Sequence, residues 1–95
     1  MAELKWSLAS VSDMVAIHDY ISIDSAVYAR YQIENICKSV ERLRQFPESG
    51  RHLPEFTSLP HREIITGSYR VIYRFETKTN EVVVVAVVHG RRLLR

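Results

Sequence analysis

Residues 62–74 read "REIITGSYRVIYR", and the two residues in the middle decide the fold. Gly67 and Ser68 separate two apolar runs, and a glycine opening a two-residue connection is the signal for a type II′ β-hairpin. That turn fixes a register in which Thr66 opposes Tyr69 and Arg62 opposes Tyr73. In the second run Tyr69, Val71, Tyr73 and Phe75 share one face, while Arg70, Ile72, Arg74 and Glu76 share the other. Directly paired residues share a face, so the register puts Arg62 on the Tyr73 side and not with Arg70. Two readings stay open, Arg62 at the sheet's edge beyond the helices or turned by a bulge, and the sequence does not decide whether the two arginines share a face. If helices cover the aromatic face, Arg70 and Arg74 point away from them.

Downstream, "TKTN" makes a second turn and "EVVVVAVV" reads as a strand apolar on both faces, hence central and covered in part on each side. The chain ends in "HGRRLLR". Gly90 is expected to break the strand and let His89, Arg91 and Arg92 turn over the sheet toward Arg70. Two readings are open there, an anion-binding cluster and a solvated basic end.

Upstream, residues 47–60, "PESGRHLPEFTSLP", hold three prolines and one glycine without any period. A structureless connection of that length is uncommon in a compact domain and invites a role. Before it, Ala26, Ala29, Ile33, Ile36, Cys37, Val40 and Leu43 recur at steps of three and four behind a cap at Asp24 or Ser25. They predict a helix to about Phe46, where Pro47 disfavours continuation. Its charged face, Arg30, Glu34, Lys38 and Arg42, reads as solvated. Ser10 and Asp13 form a candidate capping box for a helix over 11–22, with Met14, Ile17 and Ile21 inward. Leu4, Trp6 and Leu8 alternate with Lys5 and Ser7, predicting a strand over 3–8.

The sum is an α+β fold: an N-terminal strand, a helical hairpin, then a three-stranded antiparallel meander, as a single domain over residues 1–95. The 95 residues are 46% hydrophobic and 25% charged, enough for one core. No apolar run approaches the roughly 18 residues a membrane span needs, and the N-terminus lacks a signal-peptide pattern, so no membrane role and a soluble cytoplasmic protein are expected. A single cysteine, Cys37, excludes an internal disulfide and reads as a small core hydrophobe. The histidines show no metal-ligand spacing, and neither a metal nor another cofactor is expected. Tyr20, Tyr28 and Tyr31 read as core or rim residues.

Charge is uneven. Residues 1–47 carry five basic and six acidic side chains, and residues 48–95 carry eight and five, so the net +2 is the sum of −1 and +3. Ten of the thirteen basic residues are arginines, whose planar fork suits phosphate or carboxylate.

Taken together, "LKWSLASVSDMVAIHDYI", "FPESGRHLPEF", "REIITGSYRVIYRF" and "VVVVAVVHGRRLL" resemble, in order and spacing, the RelE/ParE superfamily of toxins from type II toxin-antitoxin systems. The resemblance covers nearly the whole chain. It implies a curved antiparallel sheet with a helical hairpin on one face, and a cognate antitoxin that covers the working surface and represses the operon, so that operator DNA is met only through the antitoxin. It also implies growth arrest by one of two activities. ParE-like members inhibit DNA gyrase, and RelE-like members are mRNA interferases that cut mRNA in the ribosomal A site. The Trp6 block, the "GRHLPE" loop and the "HGRR" ending resemble the ParE-like plasmid-stabilisation branch.

Cleavage of RNA needs an acid, a base and positive charge at the phosphorane-like transition state. Arg70 and Arg92 match arginines of the RelE-like nucleases, and Glu55 or His89 would be the proton-transfer groups. The tyrosine that several of those nucleases place near the C-terminus has no counterpart, since none follows Tyr73. Gyrase inhibition is therefore the leading expectation, with Arg62, Arg70, His89, Arg91 and Arg92 as target-binding candidates. A ribosome-dependent endonuclease using Arg70, His89, Arg92 and Glu55 is the alternative, and an inactive toxin-like interaction module the second. Arg70→Ala is expected to cost activity and leave the fold intact.

Overall fold

The structure is a computed structural model and describes residues 1–92 and 94. Strand β1 (Glu3–Trp6) leads into helices α1 (Leu8–Ser22) and α2 (Ala26–Glu41), and a turn of 3-10 helix (Arg42–Arg44) follows. Strands β2 (Arg51–His52), β3 (Arg62–Thr66), β4 (Tyr69–Glu76) and β5 (Glu81–His89) complete one sheet in the order β1-β5-β4-β3-β2. The β3-β4-β5 meander is antiparallel as expected. Its partner β1 lies parallel to β5, so the sheet is mixed and not antiparallel throughout. The long connection that a parallel pair requires is here the whole intervening chain, the helical hairpin and β2–β4 together.

The hairpin at Gly67 and Ser68 has the predicted register, with Thr66 opposite Tyr69 and Arg62 opposite Tyr73. Gly67 has φ 59°, the positive value a II′ turn places first, and a Cβ there would also meet Gln32 Nε2 at 2.9 Å. Between β4 and β5 the register slips, Ile72 pairing with Ala86 and Tyr73 with Val84, which leaves Val85 as a bulge. The slip switches which parity of β5 faces the helices. Val82 and Val84 face them before it and Val87 after it, where Val84 and Val87 join Ile36, Val40 and Val71 in the main core. The loosened backbone is tied down by α1 on one side and its cap on the other. Asp13 Oδ2 accepts from the Val87 amide at 2.9 Å, and Ser7 Oγ donates to the Val85 carbonyl at 3.1 Å.

Several local expectations are corrected. Helix α1 begins at Leu8, because Ser7 caps it by accepting from the Ser10 amide at 3.0 Å; Ser10 and Asp13 form no capping box. Leu8 is therefore a helix residue, 90% exposed, where alternation had it in the first strand. Of the two candidate caps for α2, Ser25 is the one used. Cys37 is exposed on the rim of the α2 stripe, whereas Ala29, Ile36 and Val40 are buried. Tyr20, Tyr28 and Tyr31 are all exposed, not core, and Tyr28 and Tyr31 stack on each other with centroids 6.3 Å apart. Leu8, Val15, Ile23 and Val27 are likewise more than half exposed, so the helical hairpin presents much apolar surface to the outside. No helix is long and apolar enough to cross a membrane among the described residues.

Candidate functional site

The face of the sheet away from the helices carries Arg70, as the alternation in β4 requires. Unlike a solvated strand arginine, its side chain is only 5% exposed. Three elements enclose it. From β3, Glu63 lies beside it on the same face, because Glu63 opposes Ile72 and Ile65 opposes Arg70, making the two a diagonal pair. From the loop after β2 comes Glu55. From the end of the chain comes the backbone around Arg92 and Leu94.

Each Arg70 nitrogen is engaged. Nε donates to Glu63 Oε1 at 2.7 Å, and Nη2 reaches the same oxygen at 2.6 Å. Nη1 and Nη2 donate to the two Glu55 oxygens at 2.7 Å each, a bidentate fork. Nη1 also donates to the Arg92 carbonyl at 2.9 Å. Behind it, the second oxygen of the fully buried Glu63 accepts from Arg51 Nε at 2.7 Å.

These contacts set the protonation states. The bond from Arg70 is the main reason the Glu55 carboxyl lies at about 2, with the Leu94 amide adding to it. The Arg70 guanidinium is held charged even more firmly than an ordinary arginine, chiefly by Glu55. A carboxyl with so low a pKa is poorly matched to shuttling protons near neutrality. Nor does the guanidinium have an N–H to spare for a phosphate while both carboxylates hold it.

Arg62 sits on the Tyr73 side, as the register implied, and its Nη1 donates to the carbonyls of Gly50 at 2.8 Å and Glu48 at 3.3 Å. Tyr73 holds the same loop from within, its hydroxyl donating to the Pro47 carbonyl and accepting from the Gly50 amide, both at 2.9 Å. A side chain at Gly50 would meet that hydroxyl at 2.6 Å, which is why glycine stands there. Arg74 pairs with Glu76 at 2.7 Å at the margin of the sheet.

At the end of β5 the expected cluster divides. His89 is exposed, packs edge-on against Tyr69 with centroids 5.7 Å apart, and its Nδ1 accepts from the Arg91 amide at 3.2 Å. Arg92 gives only its carbonyl to Arg70; the residue itself lines a shallow hollow of about 410 Å³ with Tyr20, Tyr69, His89 and Asp13. The structure thus brings His89 and Arg92 together beside α1, and leaves Arg70 neutralised on the other face with Glu55 and Glu63. Arg51 and the Leu94 amide went unnoticed in the sequence. Arg51 could have been found from the pairing of a short strand with Glu63, but nothing in the residue pattern announces the backbone contact of Leu94. Among the described residues no group of three or more histidine, cysteine, aspartate or glutamate side chains could hold a metal ion.

The mixed five-stranded sheet carrying a helical hairpin is a fold shared with solved structures. The chain superposes with TM-score 0.76 on a structure described as the chromosomal ParDE system from P. aeruginosa, at 22% identity, covering 94% of this chain and 96% of that one. It superposes with TM-score 0.66 on the toxin-antitoxin complex RelBE2 from Mycobacterium tuberculosis, at 16% identity over 93% of this chain and 96% of that one. The isolated RelE toxin of E. coli gives 0.65 at 17% identity, over 98% and 88%. At these identities the likeness establishes the fold. No curated protein matches in sequence.

The sequence itself matches the family described as ParE toxin of type II toxin-antitoxin system, parDE, over residues 4–94, and the chain belongs to that family. It is accordingly a toxin of the ParE family of type II toxin-antitoxin systems.

Proposed function

We propose that this toxin arrests growth by inhibiting DNA gyrase through protein-protein contact, and that its cognate antitoxin blocks that contact. The observation carrying this reading is the neutralised state of Arg70. Both carboxylates around it are spent on holding it, and Glu55, the candidate proton-transfer group nearest to it, is kept ionised to about pH 2. That arrangement suits a rigid support better than RNA cleavage. Of the target-binding candidates, His89, Arg91 and Arg92 are exposed, and the target contact is placed on them. Arg62 and Arg70 hold the loops beneath. The apolar outer surface of the helical hairpin, with Leu8, Ile23, Val27 and Tyr31, gives the antitoxin a surface to cover. Purified toxin is expected to inhibit gyrase supercoiling at concentrations that arrest growth; supercoiling left unaffected there would sink the reading.

One observation favours a ribosome-dependent endonuclease instead. His89 and Arg92 line a common hollow with Tyr69 and Tyr20, an imidazole and a cation beside two aromatic rings. Primer extension after induction separates the two, since new cuts in mRNA at the ribosomal A site belong to the endonuclease alone.

A further inference from the structure

Beyond β5 the described residues Arg91, Arg92 and Leu94 belong to no strand. Their backbone is instead gripped at two atoms. The Arg92 carbonyl accepts from Arg70 Nη1 at 2.9 Å, and the Leu94 amide donates to Glu55 Oε2 at 3.1 Å. Glu55 and Arg70 are themselves locked by the bidentate fork, so a donor and an acceptor stand side by side at a fixed spacing, one for the Arg92 carbonyl and one for the Leu94 amide. Arg70 has a second anchor in Glu63, within the sheet. Glu55 has no comparable anchor in its own strand, being carried on the loop that follows β2.

We propose that Glu55 is a positioning residue: it fixes the path of the C-terminal segment through the Leu94 amide and the Arg70 fork, and so sets where Arg91 and Arg92 are presented beside His89. The acid or base role that its residue type suggests is replaced by a mechanical one. The side chain is 15% exposed and meets the segment at a backbone group, the Leu94 amide. What it controls is direction. Without the carboxylate, the Leu94 amide loses its acceptor and Arg70 keeps only Glu63 and the Arg92 carbonyl. The effect on growth rests on the reading that places target contact at the C-terminal end.

The test uses the full chain with Glu55→Ala and Glu55→Gln, together with a chain ending at Gly90. Amide exchange at Leu94 reads the grip, amides of β4 and β5 report whether the fold survives, and growth arrest on induction reads the consequence. Glu55→Ala is expected to speed exchange at Leu94 by about ten- to hundredfold, the worth of a hydrogen bond to a charged acceptor, with the strand amides unchanged. Growth arrest is expected to weaken in parallel. Glu55→Gln keeps an acceptor oxygen and should rescue part of both.

A Leu94 amide that already exchanges freely in the wild type would overturn the proposal. So would a Glu55→Ala chain that loses protection yet arrests growth as well as the wild type. A chain ending at Gly90 that still arrests growth overturns the reading of the target contact, and is told apart because Leu94 protection in the full chain then stands on its own.

Discussion

Arg70 and Glu63 are bound to each other inside the sheet, with two guanidinium nitrogens on one carboxylate oxygen at 2.7 and 2.6 Å and the Glu63 side chain wholly buried. An ion pair so enclosed must be complete to be tolerated. Its carboxylate is satisfied from the other side by Arg51, and its guanidinium by Glu55. The pair links β3 and β4 to the loop after β2 and to the chain end, so it organises the face that the helices leave bare.

The first prediction follows from that enclosure. Arg70→Ala leaves a buried carboxylate with one partner in place of two and should destabilise the chain by about 3–5 kcal/mol, the usual result of breaking a buried pair. The burial of Arg70 thus leads to the opposite expectation from the sequence, which had the substitution leave the fold intact. Urea denaturation checks it, and a midpoint like that of the wild type would remove the pair from the stabilising core. In a double-mutant cycle with Glu63→Ala the two losses should be far from additive.

A second prediction concerns the loop at Gly50. Tyr73→Phe removes the hydroxyl that serves both the Pro47 carbonyl and the Gly50 amide, in a side chain with no exposure. Leaving those groups without their partner should cost about 1–3 kcal/mol by thermal or urea denaturation. Gly50→Ala should cost more, since its Cβ would stand 2.7 Å from the Glu63 carbonyl as well as 2.6 Å from the hydroxyl. If Gly50→Ala proves the milder of the two, the loop is not pinned as described.

Gln32 supplies a third. It is 6% exposed beneath the Gly67 turn, and its Nε2 has no hydrogen-bond partner among the described residues. Burying an unpaired amide is costly, and methionine has nearly the same length without the polar end. Gln32→Met is expected to raise stability by about 1 kcal/mol. A fall in the denaturation midpoint would mean that the amide is satisfied after all.

What the residue pattern revealed, and what it concealed, divides along physical lines. Gly67 and Ser68 specified a turn, a turn specifies a register, and the register correctly placed Arg62 beside Tyr73 and Arg70 away from the helices. Local chemistry of this kind is written in adjacent residues. The bulge at Val85 was hidden, because a run of valines looks the same in either parity. The parallel pairing of β1 was hidden because alternation says nothing of direction. Leu8 misled for a related reason: one apolar residue continued the strand's alternation, while Ser7 beside it was already a helix cap. At the site, charge alone marked Arg70 and Glu55 as candidates. Only their distance from each other showed that each uses up the other's capacity, and no pattern of side chains could reveal a contact made by the Leu94 backbone.

The last prediction uses pH to isolate that contact. Glu55 has its carboxyl lowered from an ordinary 4.5 to about 2 in the folded chain, first by the Arg70 bond and then by the Leu94 amide. The folded state therefore favours the ionised form. Its stabilising effect is fully present above about 4.5, and is lost progressively as pH falls toward about 2, where the folded form takes up the proton as well. Glu55→Gln cannot titrate, so the stability gap between wild type and variant should narrow steadily across that interval and be constant above it. Other carboxyls titrate in both proteins and cancel in the difference. Thermal midpoints of the two proteins, measured from about pH 6 downward, give the comparison. Curves that run parallel to the bottom of the range would show that Glu55 is not held by Arg70 in solution, and the path of the C-terminal segment would then need another anchor.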